Sequence, residues 1–506
     1  MGSPLRLFAP AALSCLVLAA AGCGVIGGER SAKDISTRPP AGGEGGGGNE
    51  KGAGQALASA PMAVQKGKVR AELIALDRGP ANSVLVRVRL VNGEAEAFSP
   101  TYTLDWPAAD GVRPAEPTRP KATGITLVDP VANKRYFPLT GAGGECLCSD
   151  TLNTTIEPGR SAEFYAVLPA PPADVHRIAV SVPLTQVFPD VPIGPGPAAP
   201  PAGADPAGAR PPTILPLVST VEGGDQAVDE GDANQSFRLS SDVLFALNKA
   251  DITAKAESIL TDVAKRIDQS ADTTVQIDGH TDNTGNDAIN DPLSLRRAQA
   301  VQRVLSRLIT RPGVGYQSAG HGSKEPVAAN SSDAGRQRNR RVTVTFARPA
   351  PAPAGPGPAP AAPGRPVGAA QPKAQEVRSL KLDVTELRRS PTGLVNLVWK
   401  LTNNGGEQFD STTQFATPVT NVFYFGGASG GTMGVTLYDE ATGRRYYTLR
   451  DSQNRCLCIG LGGGGDYRIM PGGTMTHANS YKLPPEVKSV TVEFPGYQPL
   501  RGAAVG

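Results

Sequence analysis

The chain alternates between stretches with a strict hydrophobic period and stretches with none. Near its middle, TAKAESILTDVAKRI sets Ala256, Ile259, Leu260, Val263 and Ile267 on one face at helical spacing, with Thr253 placed as the N-cap. A second helix is predicted where Ala298, Val301, Leu305 and Leu308 recur at the same spacing. Around these helices the period drops to two. TTVQIDG turns Val275 and Ile277 inward, RRVTVTF does the same with Val342, Val344 and Phe346, and VLFALNKADI opens with a short apolar strand. Residues 236–347 therefore read as β-α-β-α-β, a mixed sheet with helices on one face.

The segments on either side are strand-like throughout, as in VRVRL, ITLV and VTVEF, and they are copies of one another. GITLVDPVANKRYFPLTGAGGECLC, from Gly124 to Cys148, aligns without a gap to GVTLYDEATGRRYYTLRDSQNRCLC, from Gly434 to Cys458. Upstream, VLVRVRLVN matches LVNLVWKLTN; downstream, IEPG matches IMPG and RIAVSVP matches SVTVEFP. Short strands separated by turns rich in Gly, Pro and Asn predict a β-sandwich of immunoglobulin-like type in each copy, over 66–188 and 375–498.

Composition explains what lies between. With 59 Gly, 47 Pro, 39% hydrophobic and 5% aromatic residues among 506, part of the length is expected to be linker. Gly-rich 23–65 reads as a tether, and Pro/Gly/Ala-rich 189–235 and 348–374 read as spacers between three folded islands. A net charge of +3 with no Lys/Arg run argues against nucleic acid as a partner.

Residues 1–22 carry Arg6, an apolar run from Leu7 to about Ala21, and then small residues ending on Cys23. The run is short for a membrane span and reads as an export signal. It resembles a bacterial lipoprotein signal. That resemblance implies acylation of Cys23, palmitate included, and an exported protein held by lipid on the extracytoplasmic side of a membrane. This would be the outer membrane facing the periplasm in a two-membrane cell, or the cell membrane facing the wall in a one-membrane cell.

Apart from Cys15 and Cys23, the cysteines are Cys146, Cys148, Cys456 and Cys458, in two CLC pairs. A local disulfide in each copy fits an oxidising compartment; a bridge between copies satisfies the same count. His176, His280, His321 and His477 are scattered along the chain, so no metal site and no cofactor is expected.

The chemistry concentrates in GHTDNTGNDAINDPLSLRR, from Gly279 to Arg297, where a polar turn holding Asp282 leads to a helix whose first turns carry Arg297. With FALNKADIT before it and GRQRNRRV after it, this stretch resembles the OmpA-like peptidoglycan-binding domain, the family of peptidoglycan-associated lipoproteins. The resemblance covers roughly a fifth of the chain and implies a ligand, the diaminopimelate of the wall's stem peptide. Asp282 and Arg297 match the family's aspartate and arginine in motif position. The chemistry agrees: a head with an ammonium and a carboxylate on one carbon needs one anion and one planar cation. Thr281, Asn283 and Gly285 are expected to shape the turn, whose backbone N–H groups could bind a carboxylate, with Asn290 and Leu293 fixing it to the helix. The resemblance implies that Thr281, Asn283 and Asn290 belong to the peptidoglycan-binding site with Asp282 and Arg297. Asn339 is given a structural hydrogen-bond role, and Arg340 a contact role.

An enzyme is disfavoured, because neither a second carboxylate-bearing segment for glycoside cleavage nor a clustered metal-ligand set is visible. A motor stator component would need a membrane-embedded carboxylate, and a channel would need long barrel strands. The expectation is a non-catalytic envelope lipoprotein that ties membrane to wall. Its duplicated segments serve as spacers or bind an envelope protein or glycan, and the runner-up reading is a scaffold defined by those segments.

Overall fold

The computed structural model describes residues 55–64, 67–101, 103–105, 120–196, 198–246, 249–270, 274–349, 367–415, 431–459 and 468–506. Cys23, the signal and most of the first tether lie outside the described residues, as does most of the 348–374 spacer.

Each duplicated segment forms two four-stranded antiparallel sheets. In the first repeat one sheet holds Ala58–Pro61, Val69–Gly79, Ser83–Asn92 and Ser161–Pro169 in that spatial order. The other runs Lys134–Tyr136, Thr126–Asp129, Arg177–Ser181, Phe188–Pro192. The second repeat copies this with Gly368–Ala370, Leu380–Arg389, Leu394–Asn403 and Thr474–Lys482 in one sheet. Its other sheet is Arg444–Tyr446, Thr436–Asp439, Ser489–Glu493, Leu500–Ala504. Alternating apolar residues from both sheets, such as Val86, Val88, Val180, Leu397, Leu401 and Val492, share one buried core.

The copying extends to irregularities. A register shift between Leu73 and Ala75 recurs between Val384 and Glu386. Asn92 is buried and donates from Nδ2 to the carbonyls of Glu96 and Ile156; Asn403 donates to those of Glu407 and Ile469. Each thus ties the end of its strand to two carbonyls of the neighbouring segments. The strand bounds run past the predicted ones at both ends: Ala58–Pro61 falls in the expected tether, Gly368–Ala370 in the expected spacer, and Leu500–Ala504 beyond residue 498.

The central segment has the mixed sheet, in the order Gly315–Gly320, Thr274–His280, Arg341–Ala347, Asn234–Ser240. Only the first pair is parallel. Helices Ala254–Asp268 and Asp287–Leu308 pack on it, and Leu260, Val263, Ala298, Val301 and Leu305 join its core. The expected strand at VLFALNKADI is displaced. Phe237 and Leu239 pair with Val344 and Val342 one step earlier, and Ser241–Leu244 forms a single helical turn. The strand Gly315–Gly320 was not expected, since GYQSAG has no apolar alternation.

The 189–235 spacer needs the largest correction. Its prolines concentrate in the first half, whereas ILPLVSTVE forms a strand, Ile214–Glu222, followed by the hairpin strands Gln226–Glu230 and Asn234–Ser240. We term Ile214–Glu222 the bridging strand. It pairs at one end with Lys134–Tyr136 and at the other with Arg444–Tyr446, which are the same strand in the two repeats. The central sheet therefore runs through the hairpin into both repeats. At the meeting point, Glu230 accepts from Lys482 of the second repeat (3.0 Å), from Arg348 (3.1 Å) and from Asn133 of the first repeat (3.3 Å). Burial pushes its carboxyl up, but Lys482 and Arg348 hold it below the usual range.

Candidate functional site

Strand Thr274–His280 delivers the site. Its last turn of chain lies hard against helix Asp287–Leu308, and two glycines make that possible. A Cβ on Gly279 would stand 2.0 Å from the Ser294 carbonyl oxygen, and one on Gly320 would stand 2.4 Å from the Leu295 nitrogen. Past the strand, the backbone N–H of Thr281 donates to the Gly322 carbonyl (2.8 Å), while Asp282 Oδ1 accepts from the backbone N–H of Thr284 (2.9 Å). Gly285 takes a φ of +89°, which closes the turn at little cost. Asn286 caps the helix, its side chain accepting from Ile289 N at 3.2 Å. Asn290 reaches back from inside the helix to donate to the Thr284 carbonyl (3.1 Å). The backbone N–H of Asn283 donates to Asn330 Oδ1 (3.4 Å).

The helix starts at Asp287, so Arg297 sits mid-helix rather than in the first turns. NDAINDP reads as turn from composition, but the Asn286 cap allows the helix to begin there. Arg297 is 5% exposed. Its Nε donates to the Lys249 carbonyl (3.2 Å) and its guanidinium lies over the Phe245 ring at 5.3 Å. Its two terminal nitrogens make no hydrogen bond among the described residues. Burial lowers its pKa, partly offset by the charges of Asp242 and Asp282.

Asp282, 7% exposed, is already engaged. Arg340 Nη1 donates to its Oδ2 at 2.7 Å. Burial pushes the Asp282 carboxyl up, yet Arg340 and the Thr284 N–H outweigh this and hold it below the usual carboxylate range. The other edge of the Arg340 guanidinium is gripped by Asp242, with Nε to Oδ1 at 2.9 Å and Nη2 to Oδ2 at 2.7 Å. These carboxylates, Asp242 first, raise the Arg340 pKa. Asn339, fully buried, accepts from Val327 N and Ala328 N and donates to the Ala328 carbonyl and Asn330.

The structure thus brings Thr281, Asp282, Asn290, Arg297 and Arg340 to one end of the sheet. Phe245 and the Lys249 carbonyl were missed because their segment, VLFALNKADI, was expected to open with a strand, and Asp242, just before it, because its role runs through Arg340. An acidic residue beside Ser241, right after an alternating strand, was the available signal for a helical turn.

Two histidines that look distant in sequence also meet here. The rings of His280 and His321 stack at 4.9 Å, and His321 contacts Asp278 (3.0 Å) and Glu325 (3.2 Å). No group of three His, Cys, Asp or Glu among the described residues is arranged to hold a metal.

A model of the OmpA family matches residues 244–340, which contain Asp282, Arg297 and Arg340. The chain is 35% identical over 120 residues to the outer-membrane lipoprotein YfiB of Pseudomonas aeruginosa, covering 24% of this chain and 71% of that protein. It is 34% identical over 115 residues to the putative lipoprotein YfiB of Escherichia coli, covering 23% and 72% respectively. The chain belongs to the OmpA family. The chain is also 38% identical over 104 residues to the peptidoglycan-binding protein ArfA of Mycobacterium tuberculosis, or 20% of this chain and 31% of that one. Asp242 and both repeats lie outside the family match.

The four CLC cysteines pair locally, Cys146 to Cys148 and Cys456 to Cys458, with Cα atoms 5.3 and 5.2 Å apart.

Proposed function

We propose that this protein is a non-catalytic cell-envelope lipoprotein that ties a membrane to peptidoglycan by gripping the diaminopimelate of the stem peptide. The observation that carries the reading is Arg297: a residue 5% exposed whose two terminal nitrogens make no hydrogen bond among the described residues, with the charge of Asp282 acting on it. A guanidinium so placed is costly unless a planar anion completes it. A ligand carboxylate on Arg297 and its neighbouring ammonium on Asp282 would satisfy both groups. Thr281, Asn283 and Asn290 frame the turn, and Arg340 stands at the same carboxylate. Relatives named as lipoproteins and as a peptidoglycan-binding protein support the assignment. Lipidation at Cys23 supplies the membrane end, and the repeats, read as immunoglobulin-like sandwiches, supply the span between anchor and wall or a surface for an envelope partner.

The test is sedimentation of the full chain, in mild detergent, with insoluble peptidoglycan of the diaminopimelate type and of the lysine type. Wild type is expected to sediment with the first and far less with the second, and Asp282→Ala and Arg297→Ala are expected to remain in solution. Equal sedimentation of wild type and both variants would overturn the reading.

A further inference from the structure

The two halves of the proposed clamp are in different states. The terminal nitrogens of Arg297 have no hydrogen-bond partner among the described residues, whereas Asp282 Oδ2 is taken by Arg340 at 2.7 Å. An incoming ammonium and Nη1 of Arg340 cannot both sit on that oxygen without like-charge repulsion. Arg340 has a second partner to stay on when it gives up that oxygen, because its other edge is held by both oxygens of Asp242. The side chains of Arg340 and Asp242 are 30% and 38% exposed, against 9% for Asp282. The Asp242–Arg340 half of the chain of charges therefore faces water, and the Arg340–Asp282 half faces the site.

Resting on the reading above, we propose that Arg340 is a built-in, displaceable counter-ion for Asp282 and that Asp242 is the residue that makes it displaceable. In the unliganded site Arg340 spares Asp282 the cost of an unpaired, nearly buried carboxylate. When a ligand arrives, its ammonium replaces Nη1 on Asp282. Arg340 keeps its two bonds to Asp242 and completes its hydration at the solvent edge. No bond is made or broken beyond hydrogen bonds, and the charge count is unchanged: two guanidiniums, two carboxylates and one zwitterionic head. The exchange also sets the ligand class. A free carboxylate alone satisfies Arg297 but leaves Asp282 latched. A free amine alone must displace Arg340 with nothing from Arg297. Only a head with both groups on one carbon, the free amino-acid end of a stem peptide, gains on both sides.

The arrangement predicts opposite signs for two neighbouring residues. Asp242→Asn removes the competing carboxylate, so Arg340 settles more firmly on Asp282 and wall affinity falls about three- to tenfold, the scale of one partly exposed charge pair. Arg340→Gln removes the competitor, so wall affinity rises by a similar factor while the protein itself melts at lower temperature. In Arg340→Gln, adding Asp242→Asn has no further effect, because the two act through one contact. Arg340→Lys is the second variant, since one ammonium cannot hold Asp242 with two bonds and also reach Asp282; it too is expected to bind more tightly than wild type.

The experiment is the sedimentation titration above with the full chain on diaminopimelate-type peptidoglycan, using free diaminopimelate as competitor and a thermal melt of each variant. A rise for both Arg340 variants and a fall for Asp242→Asn supports the latch. If wild type binds, Asp282→Ala and Arg297→Ala do not, and the Arg340 variants bind more weakly, then Arg340 contacts the ligand and the latch is overturned while the clamp stands. If Asp282→Ala and Arg297→Ala bind like wild type, or wild type does not sediment, the clamp itself fails and the latch falls with it.

Discussion

The two repeats share a strand plan, a buried Asn hook and a CLC pair, yet they differ where they touch. Position 141 is Gly in the first repeat and its counterpart 451 is Asp in the second; 145 is Glu and its counterpart 455 is Arg. In the second repeat, buried Asp451 accepts from Arg455 Nε at 2.8 Å and from Arg135 of the first repeat at 3.4 Å. Both guanidiniums also lie over Phe137, at 5.2 Å for Arg135 and 4.4 Å for Arg455. Arg445, the counterpart of Arg135, turns instead to Glu493 within its own repeat, at 2.8 and 3.0 Å. Two copies meeting through a symmetric, self-complementary patch would use residue i against j and j against i in equal measure. With Gly141 in the place of Asp451, the carboxylate is supplied by the second repeat alone and the contact is one-sided.

The sharpest way to break this comparison is Asp451→Ala. Buried Arg135 and the 11%-exposed Arg455 would lose their carboxylate, and burial has already lowered the pKa of Arg135 to about 10, which shows how costly its charge is there even with Asp451 present. A loss of roughly 3–5 kcal/mol in urea-monitored unfolding is expected. A loss below about 1 kcal/mol, the level of a surface pair, would mean the repeats are not held together by this cluster.

A second difference lies inside the cores. Val88 pairs with Phe164 in the first repeat, and at the matching place in the second Trp399 pairs with His477. The His477 ring stacks on Trp399 at 4.4 Å, and neither ring nitrogen has a hydrogen-bond partner among the described residues. Burial pushes its pKa down to about 3. The unfolded chain would take up a proton near pH 6.5 while the folded one refuses it, so stability falls as pH drops from about 6.5 toward 3. At pH 5 the cost is about 2 kcal/mol, and it vanishes above pH 7. His477→Phe, which installs the first repeat's residue, should remove that part of the acid sensitivity while changing little at pH 8. An unchanged pH slope between pH 7 and 5 would show that another group controls it.

These contrasts also mark what the sequence could tell. The repeats were legible because duplication leaves a constant offset and strands leave a period of two. The candidate site was legible because Asp282, Asn290 and Arg297 fall in one short stretch with a recognisable order, and the structure brings them to one end of the sheet. What stayed hidden depends on partners far apart in the chain. Arg135 and Asp451 are separated by 316 positions, and Glu222 on the bridging strand meets Arg338 across 116. The bridging strand was masked by its neighbours, since a window dominated by Pro, Gly and Ala reads as spacer even when ILPLVSTVE inside it can pair on both edges. Asp242 was lost for a different reason: its role exists only through Arg340, and no local pattern announces a counter-ion's counter-ion.

The smallest expected effect tests where the repeats should be alike. Each CLC disulfide joins residues only two apart, so it closes a ring of about three residues and withdraws little freedom from the unfolded chain. On the loop-entropy scale that is about 1.5 kcal/mol, against about 4.7 kcal/mol for a 100-residue loop. The strands around it are held independently of the sulfurs: Leu147 N donates to the Leu139 carbonyl and Leu457 N to that of Leu449. Replacing both cysteines of one repeat by serine is therefore expected to cost about 1–2 kcal/mol, and nearly the same in either repeat. A cost near 4 kcal/mol would contradict a local ring and point to a bond closing a long loop, the cross-repeat pairing that the cysteine count alone allows. Since such a bond would need one cysteine from each repeat, it would also make the two double replacements equivalent when combined, whereas local rings make their costs add.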